Sequence, residues 1–139
     1  MAIYRPPVAR AQATLSGARA TTVNVGSHTL FTDETPPLGG AATGPSPEET
    51  LLAALGACTA MTLRRFSERK QWAIGTIHVD LELTRDGDGE QIDRQVRVAA
   101  PLSPAQSQWL AEAAEESSIT RTLKRGVLIR TRIVGGSGG

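Results

Sequence analysis

The chain has 139 residues, with 15 Lys and Arg against 14 Asp and Glu and only 4% aromatics. That length suits one ordinary domain with an aliphatic core. The near-zero net charge gives no single-sign field to draw nucleic acid or an anionic membrane, and the arginines are spread without interleaved aromatics. One cysteine cannot close an intrachain disulfide, and two histidines add too little for a structural zinc site, so neither metal nor cofactor is expected. MAIYRPPVAR lacks the apolar stretch of a signal peptide, and no apolar run approaches the ~18 residues of a membrane span. The chain reads as a cytoplasmic protein in a reducing compartment.

Residues 8–33 read as two or three strands, VARAQATLSG, TTVNVG and HTLFTDE, with turns at Gly17 and Gly26. The Pro- and Gly-rich run DETPPLGGAATGPSP reads as a surface loop beside a site. A helix then begins with Ser46 as N-cap, Pro47 at the first position and Glu49 completing a capping box. Glu48 and Glu49 at its start, and Arg64, Arg65, Arg69 and Lys70 near its end, complement the helix dipole. From Leu51 to Leu63 thirteen residues carry no charge, and the apolar ones surround the helix rather than forming a stripe. Gly56 in their midst costs roughly 1 kcal/mol against Ala, which suggests close approach of another helix or chain.

TIHVDLELT alternates as a half-buried strand, RDGDGE turns it, and IDRQVRVAA returns. In LSPAQSQWLAEAAEES, Ser103, Pro104 and Gln106 predict a second helix start, and Trp109, Leu110, Ala113 and Ala114 supply a narrow apolar face. SSITRTLKRG is expected as a short turn into a closing strand, VLIRTRIV, followed by a flexible tail at 135–139. The whole is an α+β domain with antiparallel sheets over residues 1–134. One small chain has few elements with which to cover a helix that is apolar all round, so burial alone predicts a homodimer.

LGGAATGPSPEETLLAALGACTAMTLRRFSERKQW closely resembles the cysteine-bearing core of the OsmC/Ohr family of small thiol proteins. The resemblance is carried by Gly39-Gly40, Thr43-Gly44-Pro45, Pro47-Glu48, Ala57-Cys58, Arg69-Lys70 and Trp72, with Asp33-Glu34 upstream. It implies an intertwined homodimer whose sheets wrap long central helices. It also implies reduction of organic hydroperoxides by a reactive cysteine at Cys58, with Glu48 organising the site. Arg19, in the Gly17-Ala18-Arg19 turn, is the candidate for the family's thiolate-holding arginine. Ten helical residues rise about 15 Å, so either the helix breaks between Glu48 and Cys58 or the Glu48 near a given Cys58 comes from the partner chain. The family's second, resolving cysteine is replaced by Ser117, and a serine cannot form a disulfide.

Cys58 therefore has two readings. As a small apolar residue it fills a buried helix, as most free cysteines do. As a nucleophile it needs its pKa lowered, and within its own helix it gains nothing from the dipole. The resemblance implies a one-cysteine peroxidase using an external thiol or dithiol, with Leu51, Leu55 and Met61 lining an apolar pocket. The alternative is a non-catalytic protein of the same fold that binds a small apolar ligand at the dimer interface. The other candidate motifs have plainer explanations. Capping explains Glu48 and Glu49, Pro45-Ser46 replaces the Lys-Ser/Thr of a P-loop, and Ser67 to Lys70 lies on a charged helix end without companion motifs.

Overall fold

The computed structural model describes residues 3–136; the first two residues and the last three of the glycine-serine tail lie outside them. Two compact units divide the chain. One comprises the residues up to Ala54 together with Leu81–Asp93, and the other comprises Leu55–Asp80 and the residues from Arg94 onward.

In the first unit, strands β1 (Gln12–Thr14), β2 (Thr21–Val25) and β3 (His28–Thr32) form an antiparallel sheet in that order. Val23 pairs with Ala13 on one side and Leu30 on the other, and Gly26 lies in the β2–β3 turn. The expected loop follows, and one carboxylate organises it. Asp33, 3% exposed, accepts the N–H groups of Glu34 at 2.8 Å, Ala41 at 3.2 Å and Thr43 at 3.1 Å, and the Thr43 hydroxyl at 2.7 Å. Its own N–H reaches Pro45 O at 3.1 Å. A short 3₁₀ turn, Pro36–Leu38, lies inside this loop. Only glycine fits at position 40, because a Cβ there would collide with the Glu34 carbonyl oxygen.

The loop delivers the chain to helix α1 (Pro47–Arg69). The predicted capping box is present. Glu49 N–H donates to Ser46 Oγ at 3.2 Å and Ser46 N–H to Glu49 Oε1 at 3.0 Å, an arrangement worth about 1 kcal/mol to a helix start. The helix runs unbroken to Arg69. Its buried residues are Leu55, Thr59, Leu63 and Ser67, a single stripe at intervals of four. One chain thus covers one face of α1 and leaves Met61 66% exposed.

Strands β4 (Ile77–Asp86) and β5 (Gly89–Val98) form the expected hairpin through the two-residue turn Gly87-Asp88. Both alternate between half-buried and exposed positions, as the sequence period requires. In the second unit the outward side chains of Arg97 and Asp80 pair at 2.7 Å. Helix α2 (Pro104–Glu115) starts with a full capping box between Ser103 and Gln106. Its Leu110 and Ala114 pack on Leu63, with Phe66, Trp72, Ile77, Val96 and Leu102 around them. Trp72 stacks on Trp109 at 5.7 Å and meets the Phe66 ring edge-on at 5.7 Å, so both tryptophans serve packing.

Two expectations after α2 fail. The segment read as a turn is helix α3 (Ser118–Arg125), with Ser117 at its N-cap position and Gly126 ending it at a φ of 76°. Only Ile119 and Leu123 mark it as amphipathic, too few apolar positions for a periodic signal. The expected closing strand over 127–134 is not a strand. The segment finds no ladder partner among the described residues, and Val127, Leu128, Ile129, Ile133 and Val134 are 63–87% exposed. Among the described residues, no helix is long and apolar enough to cross a membrane.

The Asp33 carboxyl is held down at about 2, mainly by the Thr43 hydroxyl and then by the Glu34 and Thr43 amides, against the opposing cost of burial. A depressed carboxylate stabilises the folded state above its unfolded value near 4 and loses that contribution as pH falls through its folded value. Asp33→Asn should therefore lower the melting temperature at neutral pH, and the gap to the unmodified protein should close on acidification from pH 4 to 2. A gap independent of pH would show that the carboxylate charge does not order the loop.

Candidate functional site

Cys58 lies on α1 next to the buried Thr59, with its side chain half-buried. Its Sγ is 3.5 Å from Ser118 Oγ, the first residue of α3. Partial burial pushes the thiol up, but hydrogen bonds from Ser118 Oγ, Ile119 N–H, Ser117 Oγ and Thr62 Oγ1 outweigh it. The thiol is held below its ordinary value. Three of these four donors belong to the N-cap and first two residues of α3. A helix start presents amide groups without intrahelical partners and the positive end of the dipole, and both favour a thiolate.

α1 supplies the sulfur, and α3, which the sequence reading missed, supplies most of what stabilises its charge. Ser117 is buried, one of the donors to Cys58, with its Oγ 2.6 Å from Thr120 Oγ1. The Ser117 side chain makes no cap bond to its own helix. It is therefore not spent on the local role that a serine at this position usually fills.

Behind this cradle lies a buried cation. Arg94 on β5 has a side chain only 13% exposed. Its Nη1 donates to Thr59 Oγ1 and Thr120 Oγ1, each at 2.8 Å, and Nη2 lies 3.5 Å from Glu115 Oε1. Glu115 also pairs with Lys124, whose hydrogen bond holds the carboxyl below the usual carboxylate range despite the cost of burial. No buried side-chain polar atom among the described residues lacks a partner. Arg94 had one legible signal: it occupies an inward position of an alternating strand, between Ile92 and Val96.

The other expected site residues have their own partners. In the first unit Glu48, in the first turn of α1, lies 3.7 Å from Arg85. Arg19 donates to Leu38 O at 3.2 Å and Ala18 O at 2.8 Å. Leu55 is buried at 4% exposure, whereas Leu51 and Met61 are 40% and 66% exposed. In the second unit a groove of about 820 Å³ runs past Thr62, Arg65, Phe66, Lys70 and Trp109. Thr62 belongs both to this groove and to the Cys58 donor set.

A family model described as OsmC-like protein matches residues 39–132. The chain belongs to this family. Solved structures agree in fold. An OsmC-like protein from Mycoplasma pneumoniae superposes with a TM-score of 0.75 at 19% identity, over 86% of this chain and 89% of that one. An organic hydroperoxide resistance protein from Legionella pneumophila gives 0.64 at 18% identity, over 89% and 92%. The organic hydroperoxide resistance protein OhrB of Bacillus subtilis gives 0.60 at 24%, over 84% and 90%. Curated protein sequences contain no match to the chain. The OsmC-like fold thus carries a single cysteine, and a serine stands beside it.

The Cys58 cradle is open to a direct check. Ser118→Ala should move the pH midpoint of Cys58 alkylation upward and slow alkylation at neutral pH by about three- to ten-fold, the net worth of one ordinary hydrogen bond. An unchanged profile would mean that the hydroxyl does not stabilise the thiolate.

Proposed function

We propose that this OsmC-like protein is a one-cysteine peroxidase that reduces organic hydroperoxides through Cys58. The observation that carries the reading is the half-buried sulfur facing Ser118, with four donors lowering its pKa at the start of a helix. A core-filling cysteine in hydrocarbon would show the opposite shift. The Cys58 thiolate attacks the terminal oxygen of the hydroperoxide. An S–O bond forms as the O–O bond breaks, and the alkoxide leaves and takes a proton to become the alcohol. The sulfur is now a sulfenic acid. Ser117 cannot resolve it, so one external thiol condenses with it to a mixed disulfide and releases water. A second thiol, or the other end of a dithiol, then frees Cys58 and leaves the reductant oxidised.

The working unit is a homodimer. With no break in α1, ten residues of helix rise by about 15 Å, so a Glu48 that meets Cys58 comes from a second copy, with Arg19 as the candidate cation beside it. Leu51 and Met61, exposed in one chain, are candidates together with Leu55 to line an apolar pocket for the alkyl group. The second reading, binding of a small apolar ligand without turnover, draws its support from Ser117, which puts a hydroxyl where the second thiol of the family would stand.

Cys58→Ala should abolish consumption of tert-butyl hydroperoxide in the presence of dithiothreitol; turnover retained by that variant sinks the peroxidase reading. Coexpression tests the two-chain site. Cys58→Ala and Glu48→Gln, each inactive or nearly so alone, should together recover roughly a quarter of the wild-type rate, since half the dimers are mixed and each of those holds one intact site of two. No recovery would place Glu48 and Cys58 of a working site on the same chain.

A further inference from the structure

Among the inward-facing positions of β5, occupied by Ile92, Arg94, Val96 and Val98, only Arg94 is charged. Burying a guanidinium is costly unless its donors are used, and Arg94 uses them on hydroxyls. Through Nη1 it joins Thr59, next to Cys58 on α1, to Thr120, two residues beyond Ser118 on α3. These are the two helices that face each other across the sulfur.

A guanidinium only donates. At each threonine it occupies an acceptor position of the oxygen, and its charge repels the hydroxyl proton. Thr59 directs its proton to the Leu55 carbonyl at 2.7 Å. Thr120 has Ser117 Oγ at 2.6 Å. A Ser117 oxygen that accepts from Thr120 keeps its own proton free. We propose that Arg94 is a positioning residue for Cys58: its guanidinium orders the Thr120–Ser117 hydroxyl chain so that Ser117 donates to the sulfur, and it locks the first turn of α3 over α1. The role rests on the reading of Cys58 as a working thiolate. It also gives Ser117 a function at the position where a second cysteine is missing.

The charged groups around the cluster are Arg94 on β5, Glu115 on α2 and Lys124 on α3, while α1 contributes the hydroxyls of Thr59 and Thr62. Glu115 is held ionised by Lys124 and Arg94, so its charge stays constant while the thiol titrates.

The test is the pH dependence of Cys58 alkylation by iodoacetamide in the full chain, where the single cysteine gives an unambiguous signal. Wild type is compared with Arg94→Met, Thr120→Val and the double variant, each checked for folding by circular dichroism. Each single variant should move the midpoint upward and slow alkylation at neutral pH by about ten-fold, the low end of what removing a nearby opposite charge does. The double variant should lose no more than the larger single loss, because both changes cut one chain. Should Arg94→Met fail to fold, the near-isosteric Thr120→Val carries the comparison. A lowered wild-type midpoint that folded variants leave unchanged, or losses that multiply in the double variant, overturns the role of Arg94 while Cys58 remains an activated thiol. A wild-type midpoint at the ordinary thiol value removes both readings.

Discussion

The chemistry of this protein depends on one helix crossing. The first turn of α3 meets α1 at Cys58, and the sulfur there gains donors that its own helix cannot provide. Mid-helix, every nearby backbone N–H is already committed to a carbonyl four residues back. A thiol at such a place, with only apolar neighbours, would stay protonated. The crossing replaces hydrocarbon with the start of a second helix and a set of short hydroxyl side chains. Thr59, Thr62, Ser117, Ser118 and Thr120 are small enough to let two helices approach closely, and each brings a group that can donate.

Holding such a polar cluster inside a fold requires every member to be satisfied, since a half-satisfied network is worse than an apolar core. Arg94 meets that requirement for the threonines, and Glu115 with Lys124 balances its charge. The first unit solves a similar problem with the opposite sign. There Asp33 gathers amide donors from loop residues on either side of the 3₁₀ turn. The loop ends where Ser46 and Glu49 cap α1. One chain leaves Met61 and the apolar side chains of 127–134 exposed.

How much was legible varied with the range of the interaction. The capping boxes at Ser46 and Ser103, the alternation of β4 and β5 and the two-residue turn between them involve neighbours in sequence, and all are present. The three N-terminal strands fell where Gly17 and Gly26 punctuate them. The segment after Ser117 was misread because Ile119 and Leu123 alone carry its amphipathic pattern, and the Ser117 side chain makes no cap bond to a backbone N–H of its helix. The run over 127–134 is rich in β-branched residues like a strand, but composition says nothing about whether a partner exists to pair with. The inward arginine of β5 stands as an exception to the alternation, but the pattern does not say what it binds.

The sequence by itself determined the local elements of the described chain, apart from its C-terminal part, and the family, because capping, periodicity and the motif around Cys58 act over a few residues. It also determined that the thiol stands alone, since the chain has one cysteine. Only the tertiary structure decided what surrounds the sulfur. Ser117, Ser118 and Ile119 reach Cys58, and Arg94 reaches Thr59 and Thr120, across separations of 26 to 61 residues. No pattern in the chain encodes those distances, since they follow from how α1, β5 and α3 pack rather than from any spacing.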